Sequence, residues 1–287
     1  MMSGAEQNNP ATEDASLRGA LQSRPPRVNI LGVGISAMNR RDALCLADSI
    51  VRSNGRGYIC ATDVHTVIEA RADSSLRDIL NRSFLTTPDG MPLVWIGKLL
   101  GYKRIQRVYG PDFMLDLCHF GLARGYRHFL FGGKPGVVEQ LSAKLQARFP
   151  GLQIVGALTP PFRPMTNSEE TTFAEVVTKA RPDILWVGLG SPKQERFMAD
   201  HCGKLDAKLM AGVGAAFDFH SGAVKEAPAW IKNSGLQWTH RLAQEPHRLG
   251  KRYLKCIPRF LWEISLQFAR LHQFSLDTCE PPIEGMR

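Results

Sequence analysis

The chain has 287 residues, 44% of them hydrophobic, enough apolar material to bury a large core as one α/β domain or as a domain with an appendage. A net charge of +9 and a pI near 9.4 point to an anionic partner, and charge alone leaves open whether that is nucleic acid, a membrane surface or a phosphorylated substrate. Six widely spaced cysteines without a C-x-x-C pair argue against a disulfide frame or a zinc site and read as reduced thiols of a cytoplasmic protein, and no apolar run approaches the roughly 20 residues of a membrane span.

Residues 1–26 are polar, carry no signal-peptide pattern and read as a disordered leader. From Arg27 the pattern is regular. Val28 to Ile35 reads as one strand, and a helix follows, its start marked by Asn39 with Asp42 three residues on. Tyr58 to Thr62 reads as the next strand, and Thr66 to Asn81 as a helix leading towards Asp89. The second half repeats the alternation, with strands at Arg127–Phe131, Leu152–Gly156, Asp183–Gly188 and Lys208–Phe217 and helices at Pro135–Arg148 and Glu169–Ala180. Short strands alternating with helices predict a parallel sheet covered on both faces, over residues 27–226, with ligands at the C-terminal ends of its strands.

From about Ala227 the character changes. Arg241, Arg248, Arg252, Lys255 and Arg259 share one helical face, and Leu242, Leu249, Tyr253, Phe260, Ile264 and Phe268 another. Pro246 and Pro258 predict a break into two or three short helices. A basic, aromatic-bearing amphipathic appendage over 227–287 suits an anionic membrane surface, and the same pattern also fits a surface helix packed on the domain.

Asp89 stands between Pro88 and Gly90, just before an apolar segment (Met91, Leu93, Val94, Ile96), so its carboxylate is expected at a wall of the core. Desolvation there would raise its pKa towards the range useful for taking a proton, although a Pro-Asp-Gly turn that merely caps the next helix has the same spelling. Glycine-rich loops follow three strands: Gly132-Gly133, Gly188-Leu189-Gly190 and Gly212-Val213-Gly214. Together they point to a phosphate-bearing ligand. Gly32-x-Gly34 lacks the third glycine of a dinucleotide fingerprint, and there is no P-loop, D-x-D pair or H-E-x-x-H, so neither a metal nor another cofactor is expected. Asp63, His65, Arg107 and Asp112 occupy loop positions with functional potential, or are simply solvated.

The blocks Thr87-Pro-Asp-Gly-Met-Pro92, Arg107-Val-Tyr-Gly-Pro-Asp112, Phe131-Gly-Gly-Lys-Pro-Gly136, Val187-Gly-Leu-Gly-Ser-Pro-Lys-Gln-Glu195, Gly212-Val-Gly-Ala-Ala-Phe-Asp-Phe219 and Gln244-Glu-Pro-His-Arg-Leu249 resemble, in order and spacing, the WecG/TagA/CpsF family of bacterial glycosyltransferases. The resemblance implies a Rossmann-like sheet with a C-terminal membrane-binding appendage, on the inner face of the cytoplasmic membrane. It implies metal-independent, inverting transfer from a UDP-sugar donor to a polyprenyl-diphosphate-linked saccharide, and no nucleic-acid partner. Asp89 matches the family's base. Arg107 and Gln194 match its polar site residues, and Arg241 and Arg248 its appendage arginines, with Lys251 where a further arginine stands and Arg252 beside it. Thr62 matches a site threonine, but Ala61-Thr62-Asp63-Val64-His65 departs from the Thr-x-Asn of many members, which leaves N-acetylmannosamine, glucose or another hexose as the sugar. Two other classes fit less well: a nicotinamide-dependent oxidoreductase and a non-catalytic sugar-nucleotide-binding scaffold at the membrane.

Overall fold

The computed structural model describes residues 24–276, apart from the side chains of Ala229, Asn233 and Arg248; all but the last three residues of the expected leader lie outside the described residues, as does Cys279. The apolar run at Val28–Ile35 is two strands. β1 (Arg27–Ile30) and β2 (Val33–Ser36) pair antiparallel around a turn at Leu31 and Gly32, with φ of 53° and 86°. Both residues of so tight a turn take positive φ, and with a leucine in the first position the turn is hidden in an unbroken apolar string. Gly32-x-Gly34 therefore sits in a hairpin outside the parallel sheet, where it cannot form the strand-to-helix loop of a dinucleotide site.

α1 (Arg40–Arg52) starts at the expected cap: Asn39 accepts from the Asp42 N–H, and the Asp42 side chain accepts from that of Asn39. β3 (Gly57–Thr62) leads into α2 (Val64–Ala72) and α3 (Ser74–Arg82). The single helix read over 66–81 is thus broken, because Asp73 takes an extended conformation and caps α3 with its side chain. β4 (Leu85–Pro88) is a further strand that its short, proline-terminated sequence conceals. α4 (Met91–Leu99) and α5 (Gly110–Gly121) come next, then β5 (Arg127–Gly132), α6 (Val137–Arg148), β6 (Gln153–Leu158), α7 (Asn167–Ala180), β7 (Ile184–Gly188) and α8 (Lys193–His201). β8 (Leu209–Gly212) ends sooner than the expected 208–217, and α9 (Ala216–Ser221) begins inside that span.

The six strands β3 to β8 form one parallel sheet in the order β4-β3-β8-β7-β5-β6. Alternate residues serve opposite faces. Cys60, Phe129, Phe131, Leu185, Val187 and Met210 enter one core, which is covered by the hairpin and α2, α3, α4, α7 and α8. Ile59, Leu130, Ile184, Trp186, Leu209 and Ala211 enter the other, covered by α1, α5 and α6. The fold is α/β with both faces of a parallel sheet buried, as the alternation predicts.

The C-terminal segment forms α10 (Ala229–Asn233), α11 (Gln237–Gln244) and α12 (Pro246–Phe268). Pro246 starts α12 in its first turn, where its missing N–H costs nothing, but Pro258 lies inside a continuous 23-residue helix and does not break it. α12 packs on the hairpin and α2. Cys256, Phe260 and Ile264 join the first core, Gln267 bonds Leu31 N (2.8 Å) and Asn29 O (2.8 Å), and Glu263 receives Arg71 at 2.8 Å.

Candidate functional site

Because the strands are parallel and in register, the ends of β4, β3, β8 and β7 fall on one edge: Thr62 lies opposite Pro88, and Gly212 opposite both Cys60 and Val187. Asp89 is the first residue beyond β4. Its N–H donates to the Thr62 carbonyl (2.9 Å), and its Oδ1 accepts from Gly110 N (2.6 Å) at the N-terminus of α5. A Cβ at residue 110 would stand 3.3 Å from that of Ala61, tighter than an ordinary contact, and glycine avoids it. Burial raises the Asp89 carboxyl to about 6, against the opposing pull of Arg107 and the Gly110 N–H.

Asp63 follows β3 and is the cap of α2, accepting from Thr66 N (2.8 Å) and Thr66 Oγ1 (2.9 Å) through Oδ1, while Oδ2 meets Arg252 Nη2 at 3.2 Å. Burial pushes this carboxyl up, but Arg252 and the Thr66 N–H outweigh it and hold the group below its ordinary value. Two neighbouring carboxylates are thus driven apart, Asp63 charged and Asp89 the weaker acid. Thr62 is fully buried with its hydroxyl on Cys60 O (3.3 Å). His65, in the first turn of α2, lies 3.9 Å from Glu69, and burial, reinforced by Arg252, lowers its imidazole pKa.

The basic residues of the C-terminal segment divide. Arg252 pairs with Asp63, and Arg241 lies over the Phe219 ring (5.8 Å) and acts electrostatically on Asp89, so both serve the strand-end site. Lys251 points outward, exposed. Arg248 lies on α12 with its side chain outside the description.

Gly132 and Gly212 are required by close packing, and Gly190 and Gly214 by their positive φ of 75° and 50°. A Cβ at Gly132 would stand 2.5 Å from the Gly188 carbonyl oxygen, and one at Gly212 2.7 Å from Met198 and 3.1 Å from the Gln194 amide nitrogen. Two N–H groups already have acceptors: Gly133 N bonds Gly188 O (3.1 Å), and Gly214 N bonds Gln194 Oε1 (3.1 Å). Gln194 also donates to Glu195 Oε1 (3.1 Å), which fixes its amide between the β7 and β8 loops. Glu195 is fully buried, and desolvation raises its carboxyl to about 7.

Arg107, expected among the polar site residues, is bonded as a clasp. Nε donates to the Asp89 carbonyl (2.6 Å), Nη1 to Lys232 O (2.9 Å) and Nη2 to Gln237 Oε1, while the guanidinium lies 4.2 Å from the Tyr109 ring centre. Gln237 in turn donates to the Tyr109 hydroxyl. Arg107, Tyr109, Asp112, Lys232 and Arg40 line a small cavity, with Lys232 Nζ 3.0 Å from Glu226 and 3.4 Å from Asp112. Gly110, Glu195, Lys232 and Gln237 were not singled out from the sequence. Gly110 stands inside a quoted block, but no local pattern marks Gln237, whose partners lie about 130 positions away.

Residues 28–273 match the profile of the Glycosyl transferase WecG/TagA/CpsF family, and that span carries every residue of this site. The chain belongs to this family. It is a glycosyltransferase. A similar protein from Bacillus subtilis (strain 168), named N-acetylglucosaminyldiphosphoundecaprenol N-acetyl-beta-D-mannosaminyltransferase, is 30% identical over 188 residues, covering 66% of this chain and 71% of the relative. In this WecG/TagA/CpsF glycosyltransferase the block Thr87–Pro92 is the end of β4 and the start of α4, and Val187–Glu195 is the β7 loop with the buried Gln194–Glu195 pair.

Proposed function

We propose that this glycosyltransferase moves a hexose from a UDP donor, with inversion, to a saccharide on a polyprenyl diphosphate at the inner surface of the cytoplasmic membrane, with Asp89 as the general base. The observation that carries this reading is the Asp89 carboxylate, which is oriented by the Gly110 N–H and raised to about 6 by burial at the edge where the strands end. A base of that strength is ionised at neutral pH and still accepts the proton of an attacking hydroxyl. The acceptor oxygen forms a bond to the anomeric carbon, the bond from that carbon to the UDP oxygen breaks, and the hydroxyl proton passes to Asp89. Attack on the face opposite the leaving group inverts the centre.

The charge that collects on UDP is met by cations and backbone N–H groups without a metal; Arg107 and Arg241, both near enough to pull the Asp89 pKa down, supply positive charge there. The Bacillus relative is named for an acceptor of the diphosphoundecaprenol type, which supports a lipid-linked acceptor here. Among the described residues no helix is long and apolar enough to cross a membrane. α12 instead turns Leu254 and Leu261 outward beside Lys251 and Lys255, a pattern suited to lying on an anionic leaflet.

The test is a panel of UDP-sugars offered with a polyprenyl-diphosphate saccharide in lipid vesicles, in excess EDTA, followed by UDP release and the anomeric configuration of the product. One sugar should release UDP and give the inverted linkage. A retained configuration, UDP release that requires added magnesium or manganese, or no release from any donor would contradict the reading.

A further inference from the structure

We propose that α4, the helix opened by the Asp89 loop, is itself a membrane-contacting element that seats Trp95, Leu99 and Leu100 in the headgroup layer of an anionic bilayer. This rests on the membrane reading above and adds to the C-terminal segment a second contact within the α/β core.

α4 is already packed. Its inward residues Leu93, Val94, Ile96 and Gly97 are buried, and Gly97 lies so close to Ile105 that a Cβ there would come within 2.7 Å of it. The outward residues are nevertheless large and apolar: Trp95 is 49% exposed, Leu99 75% and Leu100 39%. Apolar side chains gathered at one exposed helix end mark an interaction surface. Exposed Lys98 and Lys103 stand beside them in the chain, Arg104 is paired with Asp42 (3.1 Å), and between Gly90 and Pro111 the chain has no carboxylate.

The patch continues into the C-terminal segment. Gly235, at φ 78°, lies flat on Trp95, where a Cβ would come within 3.0 Å of the indole. Leu236 and Trp238 follow, both exposed, and the Trp238 ring meets Tyr253 of α12 at 5.7 Å, next to exposed Leu254. An apolar band with basic residues beside it thus runs from α4 across α11 to α12. A second copy of the chain would set these cations against each other in a two-fold interface, whereas anionic headgroups accept the cations and the Trp and Leu side chains together. α4 is nine residues long, so with its far end seated Asp89 stands at most on the order of 13 Å above that contact. Docking would then set the height of the base over the lipid diphosphate.

The test uses the full chain and two variants, Leu99→Glu/Leu100→Glu on α4 and Leu254→Glu/Leu261→Glu on α12. Each is co-sedimented with vesicles of phosphatidylglycerol and phosphatidylcholine and with phosphatidylcholine alone, alongside circular dichroism and sedimentation velocity. The α4 variant should keep its fold and lose about tenfold or more of its affinity for the anionic vesicles. If the Glu pair misfolds, Lys98→Glu/Lys103→Glu should show the same loss. Unchanged vesicle binding by the α4 variants, with a loss confined to the α12 variant, would overturn this proposal and leave the membrane reading standing. Wild-type protein that ignores the vesicles would sink both. A wild-type dimer that the α4 variant dissociates, with vesicle binding intact, would assign the patch to a second copy of the chain.

Discussion

At the scale of single residues, the proposed mechanism depends on separating two carboxyls. Asp63 gains Arg252 and the Thr66 N–H and stays charged, whereas Asp89 is raised from 3.8 to about 6 by burial. Asp89 must be ionised to act as the base proposed above, so kcat/KM should rise with pH along a limb centred near 6 and level off above it. The same shift affects stability with a definite sign. Asp89 holds its proton more tightly folded than unfolded, so its contribution favours the fold below about pH 4 and is lost as pH rises through about 6. At pH 7.5 the ionised side chain is a net cost, and Asp89→Asn should raise unfolding stability by about 1–3 kcal/mol, a gain that shrinks towards pH 4. Urea unfolding at the two pH values checks this. Equal stability of the two proteins at pH 7.5 would mean that Asp89 is not desolvated.

At the scale of elements, the clasp at Arg107 joins the Asp89 loop to α10 through Lys232 and to the start of α11 through Gln237. A lysine keeps the charge but cannot span three acceptors. Arg107→Lys should therefore cost about 10- to 100-fold in turnover and make residues 227–244 more susceptible to limited proteolysis, because the geometry around the base loosens. Turnover and proteolysis like those of wild type would show that the clasp positions nothing. Pro258 gives a prediction of opposite sign. It sits exposed in the interior of α12, so Pro258→Ala should stabilise the protein by about 1–3 kcal/mol in thermal or urea unfolding. An unchanged midpoint would argue that α12 is not continuous there.

The same elements show what could be read from the sequence. The βα alternation was legible because strands buried on both faces spell short apolar runs, and Asp89 was legible because Pro88 and Gly90 frame it. The β1–β2 turn was not, since Leu31 takes a positive φ usually left to Asn or Gly, and tertiary contacts from Gln267 hold it there. β4 was missed because four residues ending in proline carry no periodicity, and its place on the sheet comes from pairing with β3. Gln237 was invisible for a related reason, since its partners lie more than a hundred residues away, and Glu195, although inside a quoted block, shows its burial only in the fold. The expected basic face of the appendage became two faces. Arg241 and Arg252 turn into the site, and the outward side pairs Lys251 with leucines that the helical pattern alone did not assign to solvent.

At the scale of the whole molecule, the site is closed from two directions. The parallel sheet supplies Asp89, Asp63 and the Gln194 loop, and the C-terminal helices supply Arg241, Arg252, Lys232 and Gln237. α12 also places Phe260 and Ile264 in the first core, so the segment that would meet the membrane is packed directly on the α/β domain. If its outer face carries the protein onto an anionic leaflet, vesicle binding should weaken as salt rises from about 0.05 to 0.5 M, because exposed Lys and Arg are screened while the leucines are not. Binding indifferent to salt and to lipid charge would remove the electrostatic part of that account. The most direct measurement is single-turnover transfer from the UDP donor to the lipid-linked acceptor by Asp89→Asn beside wild type, with donor binding measured in parallel. Asn keeps the shape and the bond from Gly110 but cannot take the proton, so the transfer rate should fall about 100-fold or more while donor affinity stays within a few-fold; a rate within a few-fold of wild type would contradict Asp89 as the base.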